Sequence, residues 1–345
     1  MNENKTPLIS VIMSVYNEHE FIRDSVKSIL DQTLGDFEFI IIDDRSTDDT
    51  VKIIEEFNDD RVILVKNEEN SGLTVNLNRA IKMSKGKYIA RMDGDDISFK
   101  NRFEVQTKFL EDHPETMLIS CNTTTFGDKI LVSDIEGTPE EHKCTMLIRP
   151  VLAHPGFMFR RELVEKYGYT YDEHFIAAQD YDIAARVSSE LAVDVTPEVL
   201  IRYRAHKNQV SQTVTGKQLS FADEIRTRLL GDLGIKLDEK DFGIYRKWAL
   251  ETDAGKEEFI RAQRILKYIL HMNIEHSCIY DPVILKKTLT KLYHKWILRT
   301  NGKKHIASIF GPDIAGYMGL VSTAFRMRAS KARRQAMIES EFAEN

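Results

Sequence analysis

Short apolar runs alternate with amphipathic stretches through the first two thirds of the chain. Leu8 to Val15 is almost unbroken apolar, which predicts a strand buried on both faces and closed by Tyr16-Asn17-Glu18. Phe21, Ile22, Val26, Ile29 and Leu30 recur at helical spacing, which predicts a helix over about 20–32. Phe37 to Ile42 is a second strand and ends in Asp43-Asp44. Ser46-Thr47-Asp48 supplies N-cap chemistry for a helix reaching about Phe57. Val62 to Val65 is a third strand, and a helix over Leu73 to Ser84 follows the turn Asn70-Ser71-Gly72. Gly86 reads as a helix stop before the strand Tyr88 to Met92. Such alternation implies βαβ units and an α/β fold, a mostly parallel sheet with helices on both faces.

Beyond this, Phe99 to His113 is helical, and Met117–Phe126 with Ile130–Val132 reads as a hairpin around Gly127-Asp128. His154 to Arg161 leads from a loop into a short strand and a helix. Gln179 to about Glu190 is a helix, and Glu198 to Arg204 is the last strand. From about Thr215 strand signals fade, and helical periodicity covers Phe259–Met272, Val283–Leu298 and Gly319–Ile338. The expected division is therefore 1–214 as an α/β domain and 215–345 as a helical C-terminal extension.

Composition narrows the classes. At 345 residues the chain holds one large domain with an appendage, or two domains. A net charge of −6 argues against a general nucleic-acid binder. Three scattered cysteines, Cys121, Cys144 and Cys278, fit buried apolar positions in a reducing compartment. No apolar run is long enough for a spanning helix or suitably flanked for a signal peptide, so a cytoplasmic location is expected.

The chemistry gathers at strand ends. Glu18, Asp43-Asp44 and Asp93-Gly94-Asp95-Asp96 all lie where a doubly wound sheet collects its ligand-binding loops. Three carboxylates within four residues repel one another unless a cation intervenes, and oxygen ligands at this density suit Mn²⁺ or Mg²⁺. An acidic, solvated turn is the alternative. There is no Gly-x-Gly-x-x-Gly after the first strand and no Walker lysine loop, which argues against a dinucleotide dehydrogenase and a P-loop enzyme.

These motifs together resemble inverting glycosyltransferases of family 2, with the GT-A (Rossmann-like) fold. The residues that carry the resemblance are Ser10 to Glu18, Ser28 to Thr33, Ile41 to Asp48, Asn70 to Leu73, Leu77-Asn78, Gly86 to Asp96, Gln179 to Asp182 and Tyr203 to His206. It covers roughly residues 7–212, and no motif of the helical third enters it.

The resemblance implies a metal-dependent enzyme moving a hexose or N-acetylhexosamine from a UDP-sugar to a saccharide acceptor. That acceptor would be lipid-linked or free, in the synthesis of a bacterial surface polysaccharide. It implies nucleotide-sugar contacts at Ser14, Tyr16, Glu18, Asp43, Asp44, Asn78, Asp93, Gly94 and Asp95. It implies metal contacts at Asp95, Asp93 and His206, and a catalytic base at Asp180. The chain departs from the family pattern at Arg45, where glycine is usual, at Gln179, where glutamate is usual, and at Lys100, often proline.

Arg326, Arg328, Lys331, Arg333 and Arg334 alternate with Leu320, Val321, Phe325 and Met327. This is a basic amphipathic helix suited to a membrane surface, and a solvated face or a homo-oligomer contact is the alternative. Other functional readings are a sugar nucleotidyltransferase, a receiver-like signalling module, and a non-catalytic binding or scaffold protein of the same fold.

Overall fold

The computed structural model describes residues 6–127, 131–205, 215–306, 309 and 314–343. It divides into two compact units, 1–136 with 152–219 and 137–151 with 220–345. A single cut after residue 214 misses this division, because the segment Gly137–Val151 packs with the C-terminal helices.

The first unit is built on an eight-stranded sheet. Its strands are β1 (Ile9–Val15), β2 (Phe37–Asp43), β3 (Val62–Lys66), β4 (Tyr88–Arg91), β5 (Ile97–Ser98), β6 (Thr116–Gly127), β7 (Met158–Arg160) and β8 (Ala192–Ala205). Their order is β3-β2-β1-β4-β7-β6-β8-β5. The first four strands run parallel, as the βαβ pattern requires. β7 then enters antiparallel to β4, with Tyr88 opposite Arg160 and Ala90 opposite Met158. Past the described residues of the expected hairpin, Val132 bridges to Thr124.

The helices of this unit are α1 (Ile22–Leu30), α2 (Thr50–Glu55), α3 (Leu73–Met83) and α4 (Arg102–Asp112), then α6 (Glu162–Glu165) and α7 (Gln179–Glu190). β1 is buried along almost its whole length because both of its faces are covered. Ile9, Val11, Met13 and Val15 pack with Ile22, Val26 and Ile29 of α1 and Phe103 and Leu110 of α4. On the other face Asn76 of α3 donates to Ser14 at 3.2 Å.

Gly86 is not a left-handed helix stop; it lets two backbones meet. A Cβ there would lie 2.4 Å from the backbone nitrogen of Ser10 and 2.6 Å from the carbonyl carbon of Ile9. Neither atom can yield without moving β1. We expect Gly86→Ala to cost about 3 kcal/mol or more, read as a lower urea midpoint at unchanged slope.

The second unit is helical: α5 (Pro139–Met146), α8 (Thr215–Asp232), α9 (Glu239–Leu250), α10 (Lys256–Glu275), α11 (Pro282–Arg299) and α12 (Ile314–Ala343). Of these α8 begins five residues before the contact boundary. α5 starts with a full capping box, Thr138 with Glu141, and a proline in its first turn. Trp248, Tyr293 and Trp296 fill the interior of this unit with edge-on ring contacts. Among the described residues no helix is long and apolar enough to cross a membrane. Cys121 and Cys144 are buried, but Cys278 is exposed rather than a core filler.

Candidate functional site

The loops that leave β1, β2 and β4 open on one side of the sheet, and hydrogen bonds tie the first two of them together. Asn17, at φ 56, donates its backbone N–H to the Ser46 hydroxyl at 2.9 Å and accepts from Thr47 N–H at 2.8 Å. Glu18 N–H donates to the Thr50 hydroxyl at 2.8 Å. Asp43 accepts from Ser46 N–H and closes the turn, in which Arg45 takes φ 67. That left-handed backbone explains why glycine suits position 45 and what the arginine gives up there.

Asp44 is held by side-chain and backbone donors. Its oxygens accept from Asn67 Nδ2 at 3.0 Å, Ser71 N–H at 2.8 Å and Gly72 N–H at 2.9 Å, and Asn76 adds a further side-chain bond. Burial pushes its carboxyl up, but these bonds outweigh it and hold the group below the usual aspartate range. Oδ1 accepts from Asn67 and Ser71 and Oδ2 from Gly72, so the carboxylate keeps acceptor capacity toward the cavity it lines.

The acids after β4 carry their own cation. Both terminal guanidinium nitrogens of Arg91, the last residue of β4, donate to the two oxygens of Asp93. Arg91 is 2% exposed. Even so, burial together with Asp95 and Asp180 raises Asp93 to about 6. Asp96 is fully buried and accepts Arg204 N–H at 2.9 Å, and its Oδ2 has no hydrogen-bond partner. Burial and the neighbouring acids push it well up. Glu18 is raised to about 8 by burial, then by Asp95, Asp93 and Asp48.

Because β4 and β7 are antiparallel, the residues leaving β4 lie beside those entering β7. Asp93 to Asp95 therefore face Ala153, His154 and Pro155 across a cavity of about 590 Å³. His154 is buried, bonded through Nε2 to the Tyr171 hydroxyl at 2.8 Å, and burial keeps it neutral by pushing its pKa well down. Asp180 lines the same cavity from the first turn of α7, just after Ala178 at φ 59. Burial raises its carboxyl above the usual 3.8, against the pull of its own and the Tyr181 backbone N–H groups.

Ser14, Tyr16, Glu18, Asp44, Asp93, Gly94, Asp95 and Asp180 all line this one cavity. Tyr16 is 48% exposed, so it is a wall and not a core residue. Two expected contacts fall outside it. Asp43 is spent on the turn. Asn78, expected among the nucleotide-sugar contacts, instead brackets Tyr171, donating to its carbonyl at 2.9 Å and accepting its N–H at 3.1 Å. His206 lies outside the described residues. Sequence reasoning gave no role to Arg91, although a lone cation inside an apolar strand was a signal.

The donor set at the acids is all carboxylate oxygen. One oxygen from each of Asp93, Asp95 and Asp96 lies within 4.8 Å of the others. Opposite ligands of a small octahedral cation stand about 4.2 Å apart, so the cluster is near the size such an ion needs. Asp95 is the member that both lines the cavity and stands clear of the Arg91 pair.

A mostly parallel sheet with an antiparallel return thus gathers the acids at its strand ends around one cavity. The model of glycosyl transferase family 2 matches residues 10–168. An uncharacterised glycosyltransferase of Haemophilus influenzae is 31% identical over 84% of this chain and 90% of its own. The Escherichia coli UDP-Glc:alpha-D-GlcNAc-diphosphoundecaprenol beta-1,3-glucosyltransferase WfaP is 32% identical over 66% of this chain and 88% of its own. A crystal structure of S. aureus TarS 1-349 with UDP-GlcNAc superposes with a TM-score of 0.54 at 16% identity, covering 81% of this chain and 90% of that one. The chain belongs to glycosyltransferase family 2.

Proposed function

We propose that the cavity binds a UDP-sugar and transfers its hexose or N-acetylhexosamine, with inversion, to a saccharide acceptor carried on a lipid diphosphate. One observation carries the reading: Asp44, Asp95 and Asp180, from three distant parts of the chain, line a single cavity. Asp44 accepts the uracil N3–H, its orientation already set by its backbone donors. The exposed Tyr16 ring supplies the wall against the base. Asp180 stands across the cavity as the base that takes the proton of the attacking hydroxyl.

Asp95, supported by Asp93, holds the divalent cation, Mn²⁺ or Mg²⁺. When bound, the cation stabilises the negative charge that builds on the departing diphosphate. The carried acceptor is suggested by the relative WfaP, named for an acceptor sugar linked to diphosphoundecaprenol.

The test is calorimetric titration of UDP with and without Mn²⁺, run beside turnover of UDP-sugars. We expect Asp95→Asn to remove the Mn²⁺ dependence and weaken UDP at least about 10-fold, a loss of about 1.4 kcal/mol. Equal Mn²⁺ dependence in wild type and variant would sink the assignment. Pyrophosphate release in place of UDP release would favour the nucleotidyltransferase reading.

A further inference from the structure

The helical unit carries a second cavity, remote in sequence from every residue that lines the first. It is a groove of about 660 Å³ lined by α10, α11 and α12. Its floor is apolar, with Leu270, Ile274 and Val283 among the lining side chains. Its rim is cationic: Lys286, Lys287, Lys291 and Arg326.

The charges are not balanced locally. Lys287 pairs with Glu141 of α5 at 2.8 Å, and the same single carboxylate also feels Lys291. Among the described residues no ion pair involves Lys286, Lys291 or Arg326. The cationic line continues along α11 to Lys295, where burial and then Lys291, Arg149 and Arg299 lower the pKa to about 8. Such crowding of like charge is costly unless an anion joins it.

The apolar surface is equally unmatched. Val283 at the groove is 76% exposed, and Phe325, next to Arg326 on α12, is 74% exposed. Ile274, Met318 and Val321 are also exposed. Large apolar side chains beside unpaired cations mark a surface made for an amphiphile.

We propose that this groove and its rim dock the helical unit on an anionic phospholipid surface. A lipid phosphate sits among Lys286, Lys291 and Arg326, and its acyl chain lies over Ile274 and Val283. Charge complementarity selects this occupant. A second copy of the chain would bring the same uncompensated cations to the contact, whereas an anionic leaflet supplies the missing charge and an apolar layer together. Three helices and a groove thus form the surface, beyond the single amphipathic face legible in the last helix.

The test is co-sedimentation of the full chain with phosphatidylcholine vesicles, with and without phosphatidylglycerol. Hydrolysis of UDP-sugar is measured on the same samples, so failure of the transferase reading and failure of docking are separately visible. Wild type should bind only the phosphatidylglycerol vesicles. Lys286→Ala/Lys291→Ala/Arg326→Ala should bind them roughly 100-fold more weakly, at unchanged hydrolysis. Ile274→Ser/Val283→Ser should weaken binding and make the remainder more salt-sensitive. The single exposed change Lys286→Glu, which puts no core packing at risk, should lower affinity about 10-fold.

Equal binding to both vesicle types overturns the proposal. So does wild-type affinity in the triple variant, or a dimer broken by Ile274→Ser/Val283→Ser that vesicles do not displace.

Discussion

Asp180→Asn should reduce turnover by about 10³-fold while leaving UDP affinity nearly unchanged. The asparagine keeps the shape and the backbone hydrogen bonds at the start of α7 but cannot take a proton. The pH profile gives a sharper check. A base works only when deprotonated, so activity falls as pH drops through its pKa. Burial places that pKa above the ordinary 3.8, and the acid limb of kcat/KM should lie above the range of an exposed aspartate. Residual activity in the variant should lack that limb. Full turnover in Asp180→Asn would assign the base elsewhere.

The largest effect on stability is expected at Arg91. Arg91→Met keeps the volume but strips Asp93 of its bidentate partner inside a group of acids. Removing one member of a buried pair typically costs about 3–5 kcal/mol. The sign with pH follows from the pair. Asp93 already titrates at about 6, above its ordinary 3.8, so in the folded state its charged form is disfavoured. A group raised in the folded state costs stability as pH rises through that interval. Loss of Arg91 raises it further, so the deficit should be greatest near pH 8 and shrink toward pH 5. Chemical denaturation in the presence of EDTA reads this directly. Arg91→Met/Asp93→Asn should recover a large part of the loss; strict additivity would mean the pair does not act as a unit.

The acids were legible because their positions follow from strand periodicity: each apolar run ends where its carboxylates begin. The side of the sheet on which they meet followed from the βαβ alternation. What stayed hidden depended on partners far away in the chain. Asn78 looks like any polar residue on a helix, and its target Tyr171 comes 93 residues later. Arg91 reads as one more residue of the strand Tyr88 to Met92, although the partner that explains its charge is two residues away. The first helix of the second unit went unread despite its signal, Thr138-Pro139-Glu140-Glu141, a capping box with proline in the first turn. Its place with the C-terminal helices could not be read at all, since α5 meets α11 through pairs such as Glu141 with Lys287, 146 residues apart. Antiparallel β7 was expected as a strand, but its direction depends on pairing with β4, which local pattern does not encode.

That reversed pairing also sets a gauge. Three facing pairs, Tyr88 with Arg160, Ile89 with Phe159 and Ala90 with Met158, fix how far the histidine wall stands from the acidic one. A slip of one place along this short ladder would carry one wall past the other by about 3.3 Å and turn its side chains to the wrong side. The spacing between the two halves of the reaction is therefore counted in whole residues, and swapping side chains at the rim cannot adjust it.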